Sequence, residues 1–477
     1  MGQRTSAVVV GAGIGGLAAA MALSRAGWDV TVVERDDTPM PDDVEGAFDW
    51  DRRGAPQVRH THGFPALIRV ILRDRYPDVL AALLEAGVRE VSVMPPDVPE
   101  SAPGYARDAA DLQVLSCRRT TLEWVLRRCA LAEPSVRFVV GTPVVGLLID
   151  PGTAPVEVRG VRLEDGRELA ADVVVASSGR RDAVPRWFAE HGVTLAEEEH
   201  PTGTIYLSRF YRAAEGSDAP IGYQGGRRAG LGFVVAGADN GTYSATLAVD
   251  AEDAELRAHL LDPDRYEAVL PLFREMEPVV ARGGEPITGV QAMGGLVNRI
   301  RRFLAPDGTP LAHGFFAIGD AHTCTNPLYG RGSSLAVLQA VLVADALVAH
   351  PTDRDAAARA YETASADKVE PWYHVSLMTD LAAAKASTGE AAPKGRPAAA
   401  APRLDLQTLR RIAASGDPEL SVLVAKTMTL LLTPQEVFGN PDVLDRLTSA
   451  AAAERPRDPS RPKRKRLTRE DILAAGR

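Results

Sequence analysis

The residues in this chain best placed for chemistry are glycines, not a nucleophile and its base. Gly11, Gly13 and Gly16 stand in the run Gly11-Ala12-Gly13-Ile14-Gly15-Gly16, after the apolar stretch Ala7–Val10 and before the Ala- and Leu-rich stretch Leu17–Ala26. A buried strand leading straight into a helix is the setting in which this spacing holds a pyrophosphate. Gly11 permits the tight turn, Gly13 lets the backbone approach the diphosphate, and Gly16 lets helix and strand pack closely. The helix start offers unpaired N–H groups and a partial positive charge. Gly27 ends the helix, Asp29–Val33 reads as a second strand, and Glu34, with Arg35 beside it, closes that strand. A carboxylate there accepts hydrogen bonds from the two ribose hydroxyls and disfavours a 2′-phosphate, so FAD or NAD fits better than NADP.

A second glycine-rich loop lies far along the chain. Gly314–Ile318 reads as a short strand that ends in Gly319-Asp320-Ala321. The loop His322–Tyr329 follows, and Gly330-Arg331-Gly332-Ser333-Ser334 opens an apolar helix running to about Ala349. Glycines let amides approach a flat ring, and a helix start stabilises negative charge without a lysine. This segment resembles the flavin-binding signature of the para-hydroxybenzoate hydroxylase superfamily. The resemblance implies that Asp320, behind Gly319, binds a ribityl chain. It places Pro327 near an isoalloxazine ring, and the helix start at Gly330, Gly332 and Ser333 at the ring's pyrimidine edge. FAD then becomes the choice over NAD.

Three further segments extend the likeness, which covers roughly residues 7–350. Arg119-Thr120-Thr121-Leu122-Glu123 looks like the family's Arg-x-x-Leu-Glu helix, whose arginine reaches the FAD phosphates or ribityl region; Arg118 is the alternative in register. Asp172–Arg180 has the strand-then-glycine form of the middle motif but carries Ser178-Gly179 where self-reducing hydroxylases have Asp-Gly. That departure leaves two electron routes, NADH or NADPH acting directly or through a separate flavin reductase. Pro56–His62 resembles a stretch of actinobacterial flavin epoxidases, with Arg59 and His60 as weak candidates for contact with the oxygen-reacting pocket.

These residues need a scaffold. The expected fold class is α/β: a Rossmann-like FAD-binding domain interleaved with an antiparallel-sheet substrate domain, plus a C-terminal helical appendage. Thr204–Arg212, Leu231–Ala236 and Thr242–Val249 are β-rich, and Asn240-Gly241 between the last two is a hairpin signal. In this superfamily such a sheet roofs the substrate, which makes Tyr206, Tyr211 and Phe233 pocket candidates. The FAD-binding domain is expected to combine 1–75, 110–190 and 291–350, and the substrate domain 76–109 and 191–290. Helices are expected over 351–449 with a flexible linker at 382–403, followed by a disordered basic tail at 450–477.

Composition narrows the function classes. The 477 residues carry 63 Asp and Glu against 54 Lys and Arg, a net charge of −9. The segment Glu454–Arg477 holds nine basic and four acidic residues, so the remainder carries −14. A nucleic-acid binder is not indicated. Three scattered cysteines, Cys117, Cys129 and Cys324, form no disulfide framework or metal spacing, and of the nine histidines only His60 and His62 stand close together. The apolar start is a phosphate loop rather than a signal peptide, and Ser334–Ala349 is shorter than the ~20 residues of a membrane span. A cytoplasmic protein without stable membrane insertion is expected. The function expected is FAD-dependent oxygen insertion from O₂ into a small apolar substrate, by epoxidation or hydroxylation, in specialised metabolism. An FAD-dependent oxidase, dehydrogenase or prenyl-chain reductase on the same fold is the alternative. The Trp-x-Trp-x-Ile-Pro signature of flavin halogenases is missing from the sequence.

Overall fold

Short Val-rich runs, none longer than six residues, build a five-stranded parallel sheet. The computed structural model describes residues 5–150, 152–215, 222–273, 276, 283–387, 416–452 and 467–476. Strand β1 (Ser6–Val10) enters helix α1 (Ile14–Arg25), which returns into β2 (Asp29–Glu34). Helix α2 (Arg119–Ala132) precedes β3 (Val136–Val140), and β4 is Val173–Ala176. The order across the sheet is Phe315–Ala317, β4, β1, β2, β3. With helices on one face and the antiparallel strands Val144–Asp150 and Val156–Leu163 on the other, the strands can be apolar throughout, as β1 and β4 are. Helix α1 is buried from Ile14 to Ser24, and its alanines allow close packing. It ends where Gly27 takes φ +93 and the amides of Gly27 and Trp28 return to the carbonyls of Ser24 and Leu23.

A six-stranded antiparallel sheet stands beside this body. It contains β5 (Thr204–Arg212), β6 (Tyr223–Arg228), β7 (Leu231–Gly237) and β8 (Thr242–Asp250), in the order β6, β7, β8, β5. Asn240 (φ 53) and Gly241 (φ 68) make the turn between β7 and β8, the two left-handed residues that a tight hairpin requires. One face is a large apolar core: Leu207, Tyr211, Phe233, Val235 and Leu247 pack on α3 (Ala254–Leu261) and α4 (Pro263–Val269). The opposite face carries Tyr206, Ser208, Ser244, Thr246 and Ala248 and looks toward the first body.

Helices α5 (Gly332–Ala349), α6 (Arg354–Lys368) and α7 (Glu370–Ser387) return to the parallel sheet. Helix α5 is long and apolar enough to cross a membrane, but 67% of it is buried in the protein, the mark of a core helix. The Tyr361 hydroxyl of α6 donates to the Ala317 carbonyl at 2.5 Å. The helices Pro418–Met428, Pro434–Phe438 and Pro441–Ala452 form a small core of their own, tied to the body by Lys426–Asp108 at 2.7 Å. Helix α8 (Arg469–Ala474) is the last element.

Several expected boundaries shift. Residues 76–88 do not join the substrate sheet: Tyr76, Val79, Leu83 and Val88 are buried in the core around α1. Gln291–Met293, assigned to the FAD-binding domain, pairs with β5. The flexible linker expected from residue 382 is helical at its start, because α7 continues to Ser387; residues 388–403 lie outside the described set. The expected disorder of 450–477 fails at both described ends. The helix Pro441–Ala452 runs through 450–452, and 467–476 form α8 behind a Thr468–Asp471 capping box, with Ile472 and Leu473 buried among Leu256, Leu260 and Tyr266. Two buried aliphatic side chains and the cap give this short segment what its basic composition hid.

Candidate functional site

The first glycine loop does what its spacing demands. A Cβ on Gly16 would lie 1.9 Å from the Gly11 carbonyl oxygen, so only glycine lets α1 pack there. Gly11 takes φ +98, and a Cβ on it would lie 2.5 Å from the Ser177 carbonyl oxygen. Gly13 has nothing within 4 Å on that side and faces open space. The Glu34 carboxylate accepts from the Ala12 amide and the Asp36 amide, both at 2.9 Å, and so fixes the cradle from β2. Beside it lies Arg52, which sequence reasoning missed. It is 4% exposed, donates to the Ala12 carbonyl at 3.2 Å, and stands 3.4–3.7 Å from Glu34, Asp36 and Glu123. In Asp51-Arg52-Arg53 nothing separates it from surface charge.

The cradle is one end of a cavity of about 340 Å³, within the ~300–1,000 Å³ usual for ligand sites. Its wall includes Gly11, Gly13, Glu34, Arg35, Arg119, Gly319, Asp320, Pro327, Gly330, Gly332 and Ser333. Eleven of the twelve expected cofactor residues, from segments 300 positions apart, thus meet at one space; Gly16 supports it from behind. The two arginines at α2 have different partners. Arg118 is engaged by Asp239 at 2.8 Å, both fully withdrawn from solvent at the β7–β8 turn. Arg119 lines the cavity, donating to Glu123 at 2.9 Å and to His62 Nε2 at 3.3 Å. Because Arg119 can only donate, His62 carries its proton on Nδ1 and donates to the His60 carbonyl at 2.9 Å. Burial, with Arg119 close by, pulls His62 down to about 3.

At the far end, the backbone of Asp320 and Ala321 is held by two arginines of the strand Val297–Arg302. Arg299 donates to the Asp320 carbonyl at 3.0 Å and Arg301 to the Ala321 carbonyl at 2.9 Å, and both converge on Asp182. Burial pushes the Asp320 carboxyl up, against the pull of Arg180, Arg119 and Arg299. Asn326, 1% exposed, starts the Pro327–Tyr329 turn by accepting from the Leu328 amide at 3.0 Å. It also accepts from the Tyr206 hydroxyl of β5. Burial and the nearby Asp380 charge hold the Tyr206 phenol well above its ordinary range, so it remains a donor. Helix α5 then begins with no acidic residue and no side-chain cap in its first turn, leaving its amides to the cavity.

The loop 60–63 joins the two bodies. His60 Nδ1 lies 2.9 Å from Ser208 Oγ, and Thr61 reaches Ser244 at 2.8 Å and Thr246 at 2.7 Å. Gly63 lies against Gly330, where a Cβ would come within 3.1 Å of the Gly63 Cα. Burial, with Arg180 nearby, lowers His60 to about 4, so it is neutral at pH 7 and no ready acid. Arg59 is not part of the cavity wall. Two of the expected pocket residues are also misplaced. Tyr211 and Phe233 sit on the helix-packed face of the sheet, and only Tyr206 faces the cavity side, because side chains alternate along a strand.

The residues present suit a flavin dinucleotide. Arg52 Nε, Ser178 Oγ and Thr325 Oγ1 are buried on the cavity wall without a hydrogen-bond partner among the described residues. Gly13 and Gly332 leave open space where a side chain would intrude. Residues 6–41 match the family model described as FAD dependent oxidoreductase. The chain is 30% identical over 365 residues to protein Rv3254 of Mycobacterium tuberculosis, covering 70% of this chain and 71% of that protein. It is 29% identical over 403 residues to a kynurenine 3-monooxygenase of Salinispora arenicola, covering 80% and 79%, and 29% over 348 residues to a menaquinone reductase of Mycolicibacterium smegmatis, covering 70% and 73%. Its fold is similar to that of PqsL of Pseudomonas aeruginosa, described as a probable FAD-dependent monooxygenase, with a TM-score of 0.59, 19% identity, and 80% and 96% of the two chains covered. Cradle, cavity and relatives agree: the chain belongs to the FAD-dependent oxidoreductases, in one family with protein Rv3254, and shares its fold with a probable FAD-dependent monooxygenase.

Proposed function

We propose that this protein is an FAD-dependent monooxygenase that transfers one oxygen atom of O₂ to a small apolar substrate, by epoxidation or hydroxylation. The observation that carries the reading is the closure of the β5–β8 sheet over the Pro327–Tyr329 turn. Tyr206, Ala248 and Leu296 are buried there in one cluster, with Met293 and Leu328 packed against them. Such a cluster excludes water beside the cavity and favours an apolar guest. When bound, reduced FAD supplies the oxygen activation and the electrons. The chain's own residues bind and orient. Gly11, Gly13 and the start of α1 take the pyrophosphate, Glu34 the ribose, and Arg119 and Asp320 the phosphate and ribityl groups. The start of α5 faces negative charge on the ring. His60, neutral and tied to Ser208, holds a hydrogen bond rather than delivering a proton.

The electrons come from NADH or NADPH, directly or through a flavin reductase; Ser178-Gly179 in the middle motif favours the reductase. The motif likeness to actinobacterial epoxidases supports a cytoplasmic role in specialised metabolism. A second reading, reduction of a quinone or prenyl chain, is favoured by the menaquinone reductase relative. The test is a turnover under ¹⁸O₂ with a panel of apolar alkenes, phenols and quinones. One labelled oxygen in the product supports oxygen insertion. Anaerobic reduction of a quinone at the same site, with no label under ¹⁸O₂, replaces it with the second reading.

A further inference from the structure

The Pro327–Tyr329 turn and Tyr206 of the sheet are both set by one residue of a C-terminal helix that the reading of the motifs did not include. Ser376 and Asp380 lie four residues apart on α7, hence on one face of it, and both meet the Asn326 segment. Asp380 Oδ1 accepts from Asn326 Nδ2 and from the Tyr329 hydroxyl, each at 2.9 Å, and its Oδ2 accepts from Asn298 Nδ2 at 2.7 Å. The Asn326 amide receives its remaining support from Asn298 Oδ1 at 2.9 Å and Ser376 Oγ at 3.2 Å. Among the described residues no cation pairs with Asp380. Its partners are all neutral donors, so its charge is spent on orientation.

The chemistry of these donors requires a carboxylate. All three partners of Asp380 donate, and they reach it on two different oxygens. An amide at 380 would turn an NH₂ group toward at least one of them, donor against donor. With Nδ2 of Asn326 held by Asp380, the Asn326 oxygen is the atom left facing Tyr206 and the Leu328 amide. The first of those bonds aims the sheet, and the second forms the turn on the cavity wall.

We propose that Asp380 is a positioning residue that seats the Pro327–Tyr329 turn against bound flavin and couples it to Tyr206. The inference rests on the flavin site and not on oxygen transfer, so its readouts need no turnover. The FAD-loaded enzyme, Asp380→Asn, Tyr206→Phe, Tyr329→Phe and a control, Met378→Ala on the 64% exposed outer side of α7, are compared by FAD titration and by the visible absorption of the bound flavin. The expected result is at least about tenfold weaker FAD binding and a shifted visible band for Asp380→Asn, since hydrogen bonds to a charged group are the strong ones. A smaller shift is expected for the two phenylalanine variants, and none for Met378→Ala. A folded Asp380→Asn with unchanged affinity and spectrum overturns the proposal. Where Asp380→Asn does not fold, wild-type spectra from both Tyr206→Phe and Tyr329→Phe overturn it equally. Loss of oxygen insertion as a function, with these flavin effects intact, leaves Asp380 in its role.

Discussion

The two ends of the cavity are built in different ways. The phosphate end is β1, α1 and β2, one stretch of 29 residues from Ser6 to Glu34, steadied from outside by Arg52. The far end is assembled from residues 60–63, 119, 293 and 319–333, with Tyr206, Asn298 and Asp380 behind them. The first end is determined by backbone shape, where a glycine either fits or does not. The second depends on side-chain hydrogen bonds between bodies distant in sequence. Damage to the first should therefore be absolute, and damage to the second graded.

Gly16→Ala tests the first half of that contrast. Its Cβ cannot be placed 1.9 Å from the Gly11 oxygen, so loss of FAD binding below detection is expected in a fluorescence titration; retained micromolar binding would show that the cradle yields. Arg118→Met tests the joint between the bodies. It leaves Asp239 charged and buried without its partner, and urea unfolding is expected to show a loss of about 3–5 kcal/mol. Burial alone would raise the Asp239 carboxyl, but its bonds and proximity to Arg118 and Thr121 bring it below its ordinary value. The stabilisation it gives is therefore complete above about pH 4 and lost as the pH falls below that, and Arg118→Met, which leaves burial to raise the carboxyl, should reverse the sign of that acid dependence.

His60→Asn probes the same joint through pH. The folded protein holds His60 neutral down to about 4, whereas the unfolded chain protonates it from the ordinary 6.5. Folding is thus penalised progressively as pH falls from 6.5 to 4, by on the order of 3 kcal/mol. The variant's stability profile should be flatter over that window, and an unchanged slope would discard the assignment. Away from the cavity the effects shrink. Ile472→Ala, emptying a fully buried site under the sheet, should cost about 2–3 kcal/mol. Arg469→Ala removes ion pairs to Asp253 and Glu255 at the surface and should cost less than about 1 kcal/mol in thermal unfolding.

The same contrast decides what could be read from the sequence. Gly11 and Gly16 declared themselves because each answers a local backbone demand that no other residue meets, and Gly13 because it leaves open the space beside them. Asp320 and the glycines near Gly332 were legible through their likeness to a flavin-binding signature. Arg299, Arg301, Arg52 and Asp380 were not, since a charged residue that will be buried by a distant segment looks like any surface charge until the fold brings its partner. Tyr211 and Phe233 failed on strand register: the sheet was readable, but which face would meet helices depended on α3 and α4. The basic tail misled because nine cations outweigh two buried aliphatics in any compositional average, while Ile472 and Leu473 decide the packing.

The arrangement of the parallel sheet has a consequence for how the protein is made. β1, α1 and β2 are complete by residue 34, but α1 packs on α5, and the last part of the cavity wall is Gly319–Ser333. On a ribosome, the cradle therefore waits for nearly three hundred further residues before its last wall can close. The complete cavity thus exists only once the middle and the end of the chain have come back to its beginning.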